Sequence, residues 1–396
     1  MIRGLFALVI ATACASAGPV GCGGGNKPAQ TAKKKDNNKD VRALLTEARD
    51  EAAAGEVDAA DALFEQAYAA DKSFPVLEER VSFLLKAGKA TRAQEVAKTY
   101  YDNHATDPKG YALYAEALII GQKGPEALEV SDQLIGLNGA AAVGYERKGR
   151  ALLLVDKDDE ALEQLRKAVS IDSDNADYHV ALGLALHKLG KVEEAELSFR
   201  TAVKKAPEDA LVHAYLGMAL RDRSDLDEAA TYLERAIEMD PRSGRAYFEL
   251  GLLYNRKGKQ AEAEQALSKA VQLSPNESLF WYAYGEIYRV QQRYDDALSA
   301  YRKATELDPP YPKALGKLAL VLAEKKQYDE AEALLIPVIR KDPKNAANYM
   351  ALASVYAARK KTKLAIDNYE RYLELAPRDD KDRARAKEAL RELKRR

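Results

Sequence analysis

From residue 41 onward, apolar and polar positions follow a helical period in segments of about a dozen residues each. Apolar residues recur at i, i+4 and i+7 in one segment, a glycine or short polar break follows, and a second segment repeats the spacing. The arrangement then begins again 34 residues later. Its most regular marker is a column of alanines, Ala60, Ala93, Ala127, Ala161, Ala195, Ala229, Ala263, Ala297, Ala331 and Ala365, spaced by 33 once and by 34 thereafter. With this alanine numbered 20 in each unit, position 8 is Gly149, Gly183, Gly217, Gly251 and Gly285, then Ala319 and Ala353. Position 24 holds Phe64, Phe199, Tyr301 and Tyr369, with leucine at four others. Position 32 is Pro207, Pro241, Pro275, Pro309, Pro343 and Pro377.

Each column has a physical reading. Positions 4, 8 and 11 form the apolar stripe of a first helix, and positions 20, 24 and 27 that of a second. Small residues at 8 and 20 let two backbones approach, large ones at 4, 11 and 24 fill the space around them, and proline at 32 ends the second helix because it lacks an N–H. Position 15 is a turn, with Gly55, Gly88, Gly190 and Gly258. A hairpin of this size cannot bury its own apolar face, so successive hairpins must stack. The expected fold is an all-α solenoid of about ten helix-turn-helix units, near 41–73, 74–107, 108–141, 142–175, 176–209, 210–243, 244–277, 278–311, 312–345 and 346–379. Residues 378–396 have no partner unit. Ala386, Ala389, Leu390 and Leu393 give them a narrow apolar stripe, which predicts a capping helix with a polar outer face.

The segment "SLFWYAYGEIYRVQQRYDDALSAYRKATELDPPY", Ser278 to Tyr311, carries Trp281, Gly285, Tyr288, Ala297, Tyr301, Ala304 and Pro309. On these residues the chain resembles the tetratricopeptide repeat family, over about Val41 to Pro377. The resemblance implies a right-handed superhelix whose first helices line a concave face, and a role in protein binding. Units one to four depart from the pattern: position 32 is Lys72, Ala105, Gly139 and Ser173, and position 7 is charged at Glu47, Arg80 and Lys148.

Composition agrees with helix on helix, with 47% apolar and 31% charged residues and 22 Tyr against 7 Phe. The 61 basic and 62 acidic side chains are well mixed, so no global field points to nucleic acid, and charge-based recognition must be local. Enzymatic constellations are not found. Gly183, Gly190 and Lys191 imitate a phosphate loop, but six residues separate the glycines and Val192 stands where a hydroxyl would meet magnesium. His179 and His213 occupy position 4, filled elsewhere by Tyr247 or Trp281, and read as packed rings; no nearby cysteine completes a metal site. Acidic pairs before the position-20 alanine sit at a helix start, where the helix dipole accounts for them. No metal, cofactor or small-molecule substrate is expected.

What remains is a binding surface. Positions 5, 9 and 12 lie on a stripe beside the packed one. Over units five to eight, Val180, Leu184, Met218, Phe248, Leu252 and Tyr282 predict an apolar strip, edged by His187, Arg221, Asn255, Arg256 and Arg289. The expectation is a groove for an extended or helical segment of a protein partner. The bland alternative is that these apolar residues pack between adjacent helices.

The N-terminus, "MIRGLFALVIATACASAGPVGCGGGN", has Arg3, an uncharged apolar run from Leu5 to Val20, then Cys22 and three glycines. Residues 1–21 read as an export signal, too short for an ordinary membrane span, and 22–40 as a flexible Gly- and Lys-rich tether. The layout resembles a bacterial lipoprotein, which implies cleavage before Cys22, fatty acylation of that cysteine and an outer-membrane location facing the periplasm. Pro19 departs from the leucine that family prefers. Cys14 is a second candidate, and cleavage near Ala17 would release a soluble periplasmic adaptor. The functional expectation is a non-enzymatic scaffold for an envelope complex in pilus, secretion, motility or outer-membrane machinery. A more distant alternative is an enzyme with an unrecognised site in units one to four.

Overall fold

The structure, a computed structural model, describes residues 31–137, 141–308 and 312–395, with side chains from residue 41 onward except those of residues 312, 313 and 341. Among the described residues there are twenty-one helices and no strand. The all-α solenoid expected from the periodicity is the observed fold. Two compact units divide between Pro241 and Arg242. The first contains α1 (Thr31–Ala54) to α12 (Leu226–Met239), and the second α13 (Gly244–Arg256) to α21 (Arg383–Arg395).

The position-8 glycines have a more specific reason than close backbone approach. A Cβ on Gly183 would lie 2.6 Å from the Phe199 ring, one on Gly217 2.6 Å from Leu233 and one on Gly285 2.7 Å from Tyr301. The missing side chain at position 8 is the seat of the large one at position 24, so the two columns are halves of one contact. Position 15 is left-handed in all ten hairpins: Gly55, Gly88, Gly190 and Gly258 there have φ from +72° to +87°, and Gln122, Asp156, Ser224, Gln292, Lys326 and Lys360 take φ from +58° to +74°. Six units thus accept an unfavourable backbone state at the turn, which costs ~1–2 kcal/mol each relative to glycine.

Position 4 is a clamp. Tyr111 Oη donates to the Ala105 carbonyl (2.9 Å), Trp281 Nε1 to that of Pro275 (2.8 Å) and Tyr349 Oη to that of Pro343 (3.2 Å). Each acceptor belongs to position 32 of the preceding hairpin. His179 does the same to Ser173 at 3.0 Å, and because a carbonyl only accepts, Nε2 carries the proton. His213 lies 6% exposed with Nδ1 2.9 Å from the Asp209 carbonyl. Both rings are packed members of the repeat. Position 34 caps the next first helix: Asn175 Oδ1 accepts from Asp177 N, Asp209 Oδ1 from Leu211 N and Ser243 Oγ from Ala246 N.

The start of the first helix differs from the sequence reading. Composition places residues 31–40 in a flexible tether, yet α1 begins at Thr31. They contain neither glycine nor proline. Extending a helix already nucleated by the first repeat adds one hydrogen bond per residue ordered, without a new nucleus.

Candidate interaction surface

In the first unit, α5 (Pro108–Ile120), α7 (Ala141–Leu154) and α9 (Ala176–Lys188) are the first helices of hairpins three, four and five, and neighbours among them touch. Position 9 is Glu116, Arg150 and Leu184 in turn; position 5 is Ala112, Glu146 and Val180. Arg150, 1% exposed, places Nη1 2.7 Å and Nη2 3.0 Å from the two Glu116 oxygens and Nη1 3.2 Å from Glu146. Arg147 approaches Glu116 at 2.9 Å and also pairs with Glu146. Two anions and one cation are thereby buried together, with half-buried Arg147 closing the cluster.

Burial opposes ionisation of Glu116, and the Arg147 and Arg150 guanidinium groups overcome it, holding its carboxyl below the usual carboxylate range. At the rim of the same cluster the balance reverses. Burial and the Glu146 charge raise Asp177, and they push Tyr178 up to about 12.

The predicted apolar strip is largely closed. Val180, Leu184, Met218 and Phe248 are 3%, 2%, 1% and 3% exposed, and Arg221 is 8% exposed. These five residues do not line an open groove. Within each unit neighbouring first helices meet, α9 with α11 (Ala210–Arg223) and α13 with α15 (Ser278–Val290), and these buried side chains pack there, as in the bland alternative. Arg221 bonds Asp222 at 2.8 Å, and the other Asp222 oxygen lies 2.7 Å from His187 Nε2. Burial opposes ionisation of Asp222, and the His187 and Arg221 contacts lower it nonetheless.

In the second unit, Phe248 stacks on Phe280 with ring centroids 4.4 Å apart, and half-buried Leu252 packs on the same cluster. Tyr282 is half-buried, 6.0 Å from the Tyr301 ring. Asn255 and Arg256 are exposed, Asn255 accepting from Gln260 at 3.1 Å. Arg289, expected on a basic edge, forks onto Glu286 at 3.2 and 3.1 Å. Lys317 reaches the same carboxylate at 3.2 Å, and Tyr301 Oη donates to it. Burial opposes the Glu286 charge, and Arg289 with Tyr301 lowers its pKa, while burial and Glu286 raise Tyr301 strongly. The cation that looked free in sequence is neutralised in place.

Sequence reasoning missed the cluster of Glu116, Glu146, Arg147 and Arg150. A signal was present: Glu116 and Arg150 are opposite charges one full repeat apart, at an address that hairpins five, six, seven and nine fill with Leu184, Met218, Leu252 and Leu320. A hollow of about 470 Å³ opens on the second unit beside Glu264, Ser268, Lys269 and Tyr284, none of which was a predicted site residue. Among the described residues there is no His, Cys, Asp and Glu group arranged to hold a metal ion, and no helix long and apolar enough to cross a membrane. Cys22, Cys14 and the leader lie outside the described residues.

With this geometry the family follows. Residues 137–390, more than half of the chain, match the family model described as the Cilia and flagella-associated protein 70 C-terminal domain, a tetratricopeptide-repeat family to which the chain belongs. No curated protein matches the sequence. Among solved structures, the chain is similar to that of the APC/C hetero-tetramer Cut9-Hcn1, with TM-score 0.60, 18% identity, 84% of this chain covered and 58% of the other. It therefore spans little more than half of that chain, and the likeness is one of fold. A thermophilic TPR protein of Thermus thermophilus aligns at 25% identity over 46% of this chain and 99% of its own, with TM-score 0.43. Pseudomonas aeruginosa pilF aligns at 22% over 52% and 95%, with TM-score 0.42. The protein is a tetratricopeptide-repeat scaffold, a fold typical of protein–protein interaction and generally without catalysis.

Proposed function

We propose that this chain is a non-enzymatic scaffold that holds a protein partner and is tethered to a membrane by a lipid on Cys22. The observation that carries the partner half is in the second unit, where half-buried Leu252 and Tyr282 accompany exposed Asn255 and Arg256 on the first helices of hairpins seven and eight. An apolar anchor beside a polar rim is the composition a partner segment uses for affinity and register. His187 in the first unit and Arg289 in the second are half-buried members of the same reading. The leader, Cys22 and the glycine run support export and acylation, with an outer-membrane location facing the periplasm and a part in assembling an envelope complex.

Capture from envelope extracts tests the partner half. A Leu252→Ala/Tyr282→Ala double variant with unchanged circular dichroism should lose partners that the wild type retains; an identical set of partners overturns the reading. Metabolic labelling with an alkyne fatty acid tests the tether. Label should appear in wild type and vanish in Cys22→Ser. Unlabelled wild type would favour the soluble periplasmic adaptor, to which the proline three residues before Cys22 already lends weight.

A further inference from the structure

The hollow on the second unit lies where hairpin seven meets hairpin eight, between α14 (Gln260–Leu273) and Tyr284 of α15. Two departures from the repeat meet there. Position 7 is a buried leucine in hairpins five, six, seven, nine and ten, as Leu182, Leu216, Leu250, Leu318 and Leu352, but in hairpin eight it is half-buried Tyr284. Position 25 is Arg166, Arg200 and Arg302 in hairpins four, five and eight, each paired with a glutamate of the next hairpin. In hairpin seven it is Ser268, too short to span that gap. A polar ring on one wall and a missing bridge on the other leave about 470 Å³ uncovered, within the ~300–1,000 Å³ of small-ligand sites.

The chemistry of the walls is as distinct as their shape. Hairpin seven is the only one of the ten without a charge at positions 22, 25 and 29, which are Gln265, Ser268 and Gln272. Gln272 Nε2 donates to Ser268 Oγ at 3.3 Å, which leaves the serine proton and the Gln272 carbonyl for a ligand, and Gln265 makes no hydrogen bond among the described residues. Glu264 is already answered, by Arg293 Nη1 at 2.7 Å and Gln291 Nε2 at 2.9 Å. Lys269 brings a charge only at the exposed rim. The Tyr284 ring is held in place, 4.4 Å from the Tyr288 ring and 6.5 Å from Trp281; its Oη accepts from Tyr288 Oη and keeps its own proton to donate.

We propose that this hollow is a binding site for a neutral saccharide. A sugar has an apolar C–H face and an edge of hydroxyls that both donate and accept, and a fixed aromatic ring beside carboxamides and a hydroxyl offers the counterpart of each. An anion or cation finds little here, since the Glu264 carboxylate is spent on Arg293. An apolar ligand would need enclosure, whereas Ala261, Gln265, Lys269 and Gln272 are exposed. A peptide segment draws most of its affinity from a large apolar anchor, and among the described lining residues Ala261 is the one apolar side chain besides the tyrosine ring. No residue assigned above to the partner surface lines the hollow, so the two sites stand or fall separately.

The chain's single tryptophan, Trp281, is close enough to Tyr284 to report on the site by its emission. The test is titration of the full chain with cellobiose, maltose and N,N′-diacetylchitobiose, followed by tryptophan emission and by saturation transfer to the sugar protons. At least one of these sugars should bind, and its affinity should fall about tenfold or more, as for the loss of one or two hydrogen bonds, in Tyr284→Leu and in Ser268→Arg. Both variants restore what other hairpins carry at these positions and should keep the circular dichroism of the wild type. Leu252→Ala/Tyr282→Ala should bind the sugar as wild type does, whether or not it loses its partner. No response to any of the three sugars, or an affinity unchanged in either hollow variant, overturns the proposal. So does loss of sugar binding in Leu252→Ala/Tyr282→Ala, or displacement of the sugar by an uncharged Ser- and Leu-rich peptide, which would assign the hollow to a protein segment.

Discussion

Hairpins four and five stand side by side in the first compact unit and share the 34-residue pattern, yet they fill the same two addresses by opposite chemistry. At positions 5 and 9, hairpin four has Glu146 and Arg150, and hairpin five has Val180 and Leu184. All four are buried. The apolar pair needs no particular partner, only volume. The ionic pair needs every member, since Arg150 is compensated by Glu116 in the hairpin before and by Glu146 on its own helix. In these two hairpins both addresses are covered, and the repeat leaves open what covers them. A seam of charges is then specific in a way a seam of leucines is not, at the cost of fragility to single substitutions.

Measurements on single and paired variants would break or sharpen that contrast. The largest effect is expected for Glu116→Ala, which leaves two guanidinium groups sharing one buried carboxylate; urea unfolding should show a loss of ~3–5 kcal/mol. Replacing the pair together, as Glu116→Leu/Arg150→Met, should recover most of it, and a double variant as unstable as the single one would mean that the charges themselves are required. Acid should reduce the difference between wild type and Glu116→Ala. The folded-state pKa of Glu116 is depressed, so its contribution is complete above the unfolded value near 4.5 and is lost as pH falls through the folded one. A gap that stays constant from pH 7 to well below 4.5 contradicts this.

Leu184→Ala in hairpin five removes volume without stranding a charge and should cost ~2–5 kcal/mol, independent of pH. Gly183→Ala forces a Cβ within 2.6 Å of the Phe199 ring and should cost ~1–3 kcal/mol; a Gly183→Ala/Phe199→Leu variant that recovers part of this would show that positions 8 and 24 are one contact. The smallest change is expected for Arg166→Ala, which breaks an exposed pair with Glu194 at 3.1 Å, and it should stay below ~1 kcal/mol and fade with salt.

The fold was legible because it depends on periodic, local information. A stripe at i, i+4 and i+7 specifies a helix and its buried side whatever the neighbours are, and the alanine and proline columns count the hairpins. Even the reading of His179 as a packed ring needed only its position in the repeat. Less legible were the turns: glycine marks position 15 in four hairpins, but the other six hold the same left-handed state with ordinary residues, because the helices on either side impose it. The candidate surface was the least legible part. Position 12 looked basic in Arg221 and Arg289, and only contacts with Asp222 and with Glu286 show these charges to be answered locally.

By itself, then, the sequence determined that the described chain is a row of helical hairpins, which residues face the packed side of each helix, and where one hairpin ends and the next begins. These follow from spacing within about thirty-four residues. The tertiary structure decided what happens at the stripe next to the packed one. Whether Val180 or Leu184 meets solvent, and whether Arg150 reaches Glu116, depends on how closely one first helix lies against the next. That is a distance between hairpins, and no period within a single hairpin encodes it.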